Sequence, residues 1–302
     1  MYFSASCSAI AALVLPLISH VSAAGQLGFA LGVKHADGSC KYQADYEADF
    51  DAIGTAGSSI VRIYSAADCD VARQILPAAK NKGFRVVLGI WPDTDDSYNA
   101  GKAAILESAV AYPDQVYAIT VGSEALYRGT FTADQLISKI ADMRQAAPQF
   151  RYGTADSWNM YIQDNGLSLV PVADILLVNA FAYWQGAAIS NAVNVFNDDI
   201  NQAFDRIKSV AGDKQIELWV GETGWPTEGT TYQAAVPSLE SAEFFYHNGV
   251  CSRLNDGTNV FYFEAFDEPW KPDSIGDDGS AADEKHWGAM TSDRVAKFSL
   301  QC

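Results

Sequence analysis

The stretch IELWVGETGWPTEG, residues 216–229, decides how this chain folds. A mostly apolar run leads straight into Gly221, Glu222, Thr223, Gly224, Trp225 and Pro226. Runs without apolar–polar alternation belong to strands buried on both faces, as in parallel sheets covered by helices. A carboxylate between two glycines at the end of such a strand is poorly explained as a solvated loop residue. Seven further runs share the character: LGFALGV (27–33), SIVRIYS (59–65), FRVVLGIW (84–91), VYAITVG (116–122), the weaker FRYGTA (150–155), DILLVNAF (174–181) and VFYFEAF (260–266).

Between the runs lie segments that place apolar residues three or four apart, the period of an amphipathic helix. They are DYEADFDAIG, CDVARQILPAAKNKG, AGKAAILESAVAYP, TADQLISKIADMRQAAP, NDDINQAFDRIKSVAG and SLESAEFFYHNG. Thr132 followed by Gln135 reads as a capping box. Gly83 and Gly249 stand where a glycine C-cap would stop a helix. SWNMYIQDNGLSLVPVA, after the fifth run, is less regular. Eight strand-then-helix repeats predict an α/β fold, a (β/α)₈ TIM barrel spanning residues 25–302 as a single catalytic domain. An open doubly wound sheet is the rival. No glycine-rich phosphate-binding motif follows the first strand, which counts against a nucleotide-binding version.

Residues 1–24 contain no Asp, Glu, Lys or Arg, and their apolar stretch from Ala9 to Ile18 is too short to span a bilayer. With Ser22 and Ala24 at −3 and −1 of a cut, they read as a secretory signal peptide, and the mature chain is expected to begin near Gly25. Cys40, Cys69, Cys251 and Cys302 then remain as possible disulfide cysteines, with three pairings open. The formal net charge of −17 disfavours nucleic acid and anionic membranes. Scattered histidines and the absence of a CxxC pair argue against a metal site, and no cofactor is expected. No lipid anchor or N-glycan signal occurs. These readings predict a secreted monomer in the extracellular space or cell wall, without membrane insertion.

Barrel active sites form at the C-terminal ends of the strands. Those ends here supply Arg62 and Tyr64; Trp91 and Asp93; Glu124; Asn179, Tyr183 and Trp184; Glu222; and Glu264, Asp267 and Glu268. Two carboxyl groups at one mouth suit glycoside chemistry: one donates a proton to the leaving oxygen, the other attacks the sugar or activates water. Glu124 and Glu222, three strands apart, are the candidate pair. Trp91, Trp158, Trp184, Trp225 and Trp270 follow strand ends and read as platforms for the flat face of a sugar ring, though any one of them packs equally well as core. Asp93 fits loop chemistry or sugar contact. The acidic stretch DDGSAADE (277–284) reads as a solvated loop, since it lacks the ligand order of a calcium loop.

VGSEALYRG, LLVNAFAYWQG, WVGETGWPTEG, FEAFDEPWK and EKHWG, taken in order, resemble glycoside hydrolase family 17. LGVKHADGSCK and VRIYSAADC resemble its fungal cell-wall branch of 1,3-β-glucanases and 1,3-β-glucanosyltransferases. The resemblance implies a retaining enzyme with its carboxylates on strands four and seven. Glu124 would be the acid/base and Glu222 the nucleophile, with Tyr64 and Glu268 in support. It also implies a substrate of 1,3-β-glucan or laminari-oligosaccharides. From their places at or beyond strand ends, Asp93, Ser123, Trp158, Asn179, Tyr183, Trp184, Trp225, Trp270 and Lys271 are expected to bind it. Many plant members carry Asn where this chain has Ser123, so any contact of that Asn with the sugar 2-OH must be weaker, absent or rearranged here. Two other readings remain: a retaining barrel hydrolase acting on another β-glycan, and a non-catalytic glycan-binding barrel.

Overall fold

The computed structural model of the chain describes residues 24–275 and 281–302. The expected signal peptide, except Ala24, and residues 277–280 of the acidic stretch lie outside the described residues.

All eight predicted runs form strands: β1 Leu27–Ala30, β2 Ile60–Arg62, β3 Arg85–Ile90, β4 Val116–Ser123, β5 Tyr152–Ser157, β6 Ile175–Asn179, β7 Glu217–Thr223 and β8 Asn259–Tyr262. They close in chain order into a parallel barrel, with β8 pairing back onto β1. The open doubly wound alternative is thereby excluded. The crossovers carry helices α1 Gln43–Gly54, α2 Val71–Lys82, α3 Asp95–Ser108, α4 Ala133–Ala146, α5 Trp158–Ile162, α6 Ile189–Ala211, α7 Leu239–Phe245 and α8 Ser252–Asn255.

The apolar runs divide between two layers. Ile60, Val87, Ala118, Ala155, Ile175, Leu177, Trp219 and Phe261 pack together inside the barrel, with Trp219 stacked on Phe261 at 4.5 Å between ring centroids. Their neighbours along the strands, such as Val61, Val86, Leu88, Leu176, Val178 and Val220, face the helices. Each large aliphatic or aromatic side chain buried this way contributes roughly 1.5–3 kcal/mol, which is why these strands tolerate so few polar residues.

Helix ends follow the local chemistry. The Thr132 hydroxyl accepts from the Gln135 backbone N–H at 3.3 Å, and the Gln135 side chain accepts from the Thr132 N–H at 2.8 Å, completing the predicted box on α4. Gly83 ends α2 with φ 71°. Gly249 does not end its helix. The chain passes from α7 through a π-helical turn, Tyr246–Cys251, into α8. Buried Tyr246, Val250 and Leu254 carry the apolar stripe across that turn, and tertiary packing overrides the glycine stop signal.

Cys40 pairs with Cys69 and Cys251 with Cys302, settling the connectivity the sequence left open. The second bridge ties the C-terminal residue to the π-helical turn. The tail is further held by Arg294, whose Nε donates to buried Asp49 at 2.8 Å, and by Lys297, whose Nζ donates to Asp267 at 2.5 Å.

Two irregularities in the barrel matter for the site. The β6–β7 register shifts between Val178 and Asn179, so that Asn179 stands opposite Glu222 rather than Gly221. The β4–β5 register shifts between Thr120 and Ser123, around Gly122 with φ 103°. Each is a bulge of the kind that re-aims a side chain beside an active site.

Candidate active site

Trp219 points into the barrel, so strict alternation would turn Gly221 inward and Glu222 outward. The bulge reverses that parity and delivers Glu222 to the mouth. Gly221 permits it, because a Cβ there would lie 2.6 Å from Asn179 Oδ1 and 2.7 Å from Leu177 Cβ. Glu222 is 7 % exposed. Arg62, 1 % exposed, reaches it from β2: Nη1 donates to Glu222 Oε1 at 2.7 Å and to the Gly221 carbonyl at 3.0 Å. Nη2 donates to Ser123 Oγ at 3.0 Å.

The second bulge sets Glu124 at the end of β4, half-buried, with φ 54°. Asn179 Nδ2 donates to its Oε1 at 3.0 Å. Burial first, and the neighbouring Glu222 carboxylate second, push the Glu124 pKa up to about 8; Asn179 and Arg62 oppose the rise. One carboxyl therefore carries its proton at neutral pH and the other is paired with a guanidinium.

A cleft of about 650 Å³ opens over this pair. Tyr64, Trp91, Asp93, Ser123, Glu268, Trp270 and Lys271 line it together with Glu124 and Glu222. Lys271 Nζ lies 2.8 Å from Glu264 Oε1 and 3.0 Å from Glu268 Oε2. Burial alone would lower the Lys271 pKa, but the two glutamates outweigh it and raise it. Burial, reinforced by the Glu268 charge, raises the Glu264 pKa. Gly32 makes room for Glu268, since a Cβ there would overlap its carboxylate. Burial, followed by the Glu222 charge, raises the Tyr64 pKa, so its phenol keeps its proton. At the β3 side, Trp91 Nε1 donates to Asp93 Oδ2 at 2.7 Å, and the Arg128 guanidinium lies 4.5 Å from the Trp91 ring centre.

Several expected sugar contacts lie elsewhere. Trp225 is 0 % exposed, and its Nε1 donates to the Val236 carbonyl at 3.0 Å. Tyr183 is buried beside it, its hydroxyl donating to the Thr230 carbonyl. Trp184 stacks on Trp287, with centroids 5.4 Å apart, and Trp158 packs on the core. Trp225 and Tyr183 are thus pieces of an aromatic plug above β6 and β7, and neither presents a face to a ligand. Asn179 is buried beneath the cleft and touches Glu124 instead of solvent.

The converse error is Glu284. It belongs to the acidic stretch read as a solvated loop, yet it lines the cleft, and burial raises its pKa. Its place in EKHWG, three residues before the buried Trp287, was the available signal. Arg128 stood likewise in VGSEALYRG, whereas Asp156 carried no signal.

A parallel barrel with one carboxyl just past β4 and an arginine-paired one at the end of β7, both facing one cleft, is the arrangement a glycoside hydrolase requires. The chain belongs to the BtgE/BtgC glycoside hydrolase domain family, whose model matches residues 28–288. It is 53 % identical over 286 residues to a glucan 1,3-beta-glucosidase of Arthroderma benhamiae, covering 93 % of this chain and 92 % of that one. It is 41 % identical over 314 residues to a glucan 1,3-beta-glucosidase of Saccharomyces cerevisiae, covering 100 % and 99 %. Among solved structures, the glycoside hydrolase family 17 beta-1,3-glucanosyltransferase of Rhizomucor miehei superposes with a TM-score of 0.77 at 28 % identity, over 91 % of this chain and 97 % of that one. An active-site mutant of the same enzyme, in complex with laminaritriose, superposes with a TM-score of 0.77. Family 17 likeness, read from the motifs, is borne out.

Proposed function

We propose that the protein is a retaining enzyme of 1,3-β-glucan, with Glu124 as acid/base and Glu222 as nucleophile. The observation that carries this is the contrast between the two carboxyls at one cleft: burial holds a proton on Glu124 to about pH 8, while Arg62 faces Glu222 at 2.7 Å. The substrate follows from what the relatives are named for, glucan 1,3-beta-glucosidase and beta-1,3-glucanosyltransferase.

In the first step the Glu124 proton passes to the interglycosidic oxygen as the C1–O bond breaks. A Glu222 carboxylate oxygen bonds to C1, giving an α-linked glycosyl ester. In the second, the Glu124 carboxylate takes the proton of an acceptor O–H, the acceptor oxygen bonds to C1, and the Glu222 carboxylate is released. Two inversions leave the β configuration. Water as acceptor gives hydrolysis; a second glucan chain gives transfer, provided the acceptor is held in line by its own subsite. The Ser123 hydroxyl lines the cleft and already accepts from Arg62.

Residues 1–24 are proposed to be removed on secretion. The two disulfides support an oxidising compartment, consistent with an enzyme working in a cell wall. Among the described residues no helix is long and apolar enough to cross a membrane.

The test is a time course with a defined laminari-oligosaccharide. Shorter products support 1,3-β-glucan cleavage, and products longer than the substrate add transfer. An unchanged substrate, or cleavage confined to 1,4-linked glucans, overturns the reading.

A further inference from the structure

Glu124 holds a left-handed backbone, φ 54°, which residues with a side chain adopt rarely and only when their surroundings enforce it. Its own N–H donates to the Ala155 carbonyl of β5 at 3.0 Å, and its carbonyl accepts the Arg128 N–H at 2.8 Å. The next residue of β5 completes the hold. Asp156 Oδ2 accepts the Leu126 N–H at 2.9 Å, and Oδ1 accepts the Tyr127 N–H at 3.2 Å and the Ser157 N–H at 2.9 Å. Ala155 and Asp156 thus grip the turn at Glu124 and at the two residues beyond Ala125.

We propose that Asp156 is a positioning residue for the reaction: its carboxylate locks the turn after Glu124 and so fixes where the acid/base points. The proposal rests on the assignment of Glu124 as acid/base.

Asp156 is 0 % exposed. Burying a carboxylate is costly, and packing alone would be served better by an apolar residue. Burial raises its pKa to about 6, against the three backbone N–H groups and Arg128, which pull it down. Near neutral pH it is therefore ionised, and both oxygens accept. That charge also acts on Glu124. The groups facing Glu124 are Glu222 from β7, Asp156 from β5, Arg62 from β2 and the neutral Asn179 from β6. Those facing Asp156 are Arg128 and the Tyr161 phenol of α5. Asp156 and Glu222 both favour the protonated form of Glu124. Asp156 thereby aims the acid and helps keep its proton.

Asp156→Asn tests both effects. The amide replaces one accepting oxygen with a donor, so one of the two grips on the turn is lost and the charge disappears. Cleavage of laminari-oligosaccharides is expected to slow by roughly tenfold to a hundredfold in kcat with KM little changed. The basic limb of kcat/KM is expected to move to lower pH. An aryl glycoside with a strongly acidic leaving phenol needs no proton donor, so its first step should be spared. Glu124→Gln measured alongside must show the same leaving-group dependence; its absence overturns the acid/base assignment itself. If Glu124→Gln shows it and Asp156→Asn keeps the wild-type rate and basic limb, or slows both donors equally, the positioning role is overturned. Should Asp156→Asn not fold, Asp156→Glu decides. It keeps the charge but displaces the oxygens, so kcat is expected to fall roughly tenfold with the basic limb unmoved; a wild-type kcat overturns the proposal.

Discussion

Glu124 and Glu222 carry the same functional group in different settings, and the setting assigns the work. Glu222 lies against a guanidinium that also braces Ser123. Glu222→Gln is predicted to lower turnover by several orders of magnitude while leaving glucan binding measurable by affinity electrophoresis. Retention of most of the activity would remove it as nucleophile. For Glu124 the consequence extends to stability. Its folded pKa of about 8 lies above that of an exposed glutamate, about 4.3. Its contribution to stability is then complete below about pH 4 and is lost as pH rises through about 8. Glu124→Gln removes that loss. The Tm of the variant relative to wild type is predicted to rise between about pH 4 and about pH 9. A difference independent of pH would contradict a Glu124 that holds its proton in the folded state.

At the scale of elements, two bulges convert ordinary strands into a site. Gly221→Ala places a methyl group against Asn179 and Leu177. It is predicted to cost about 1–3 kcal/mol in a denaturation experiment and to lower kcat, because Glu222 and Asn179 both shift. Unchanged kcat would mean that the register shift does not aim Glu222. Such bulges were not legible in the sequence. Strand existence was, because β3, β4, β6 and β7 are buried on both faces and admit almost only apolar residues. The carboxylates were legible where they interrupt that rule at a strand end. Asp156 was not, because FRYGTA is the weakest run and the residue after it looks like a loop start. Trp225 misled for the opposite reason: beyond a strand end, a tryptophan that covers a sugar and one that plugs the barrel have the same sequence signature. Glu284 was hidden by its acidic neighbours, since only the folded chain reveals that one of them turns into the cleft.

Over the whole molecule, the eighth strand is followed by no helix among the described residues. An irregular tail takes that place, held by Cys251–Cys302, Arg294–Asp49 and Lys297–Asp267. Replacing Cys251 and Cys302 together by serine is predicted to cost about 2–4 kcal/mol, read as a lower denaturation midpoint, with kcat per folded molecule retained. An undiminished midpoint would show that the tail is held without the bridge. The net charge of −17 belongs to this scale too. It disfavours polyanions as partners and leaves a neutral glucan unaffected, so KM for laminarin is predicted not to respond to added salt. A KM that moves strongly with ionic strength would point to a charged substrate.

The division of labour between Glu124 and Glu222 is tested most directly by chemical rescue. Glu124→Ala would be incubated with azide and a 1,3-β-glucosyl donor bearing an activated leaving group, and the product's anomeric configuration read by proton NMR. Restored turnover and a β-glycosyl azide are predicted, because the small anion takes the place opened beside C1 and displaces Glu222. An α-azide, or no rescue, would contradict it.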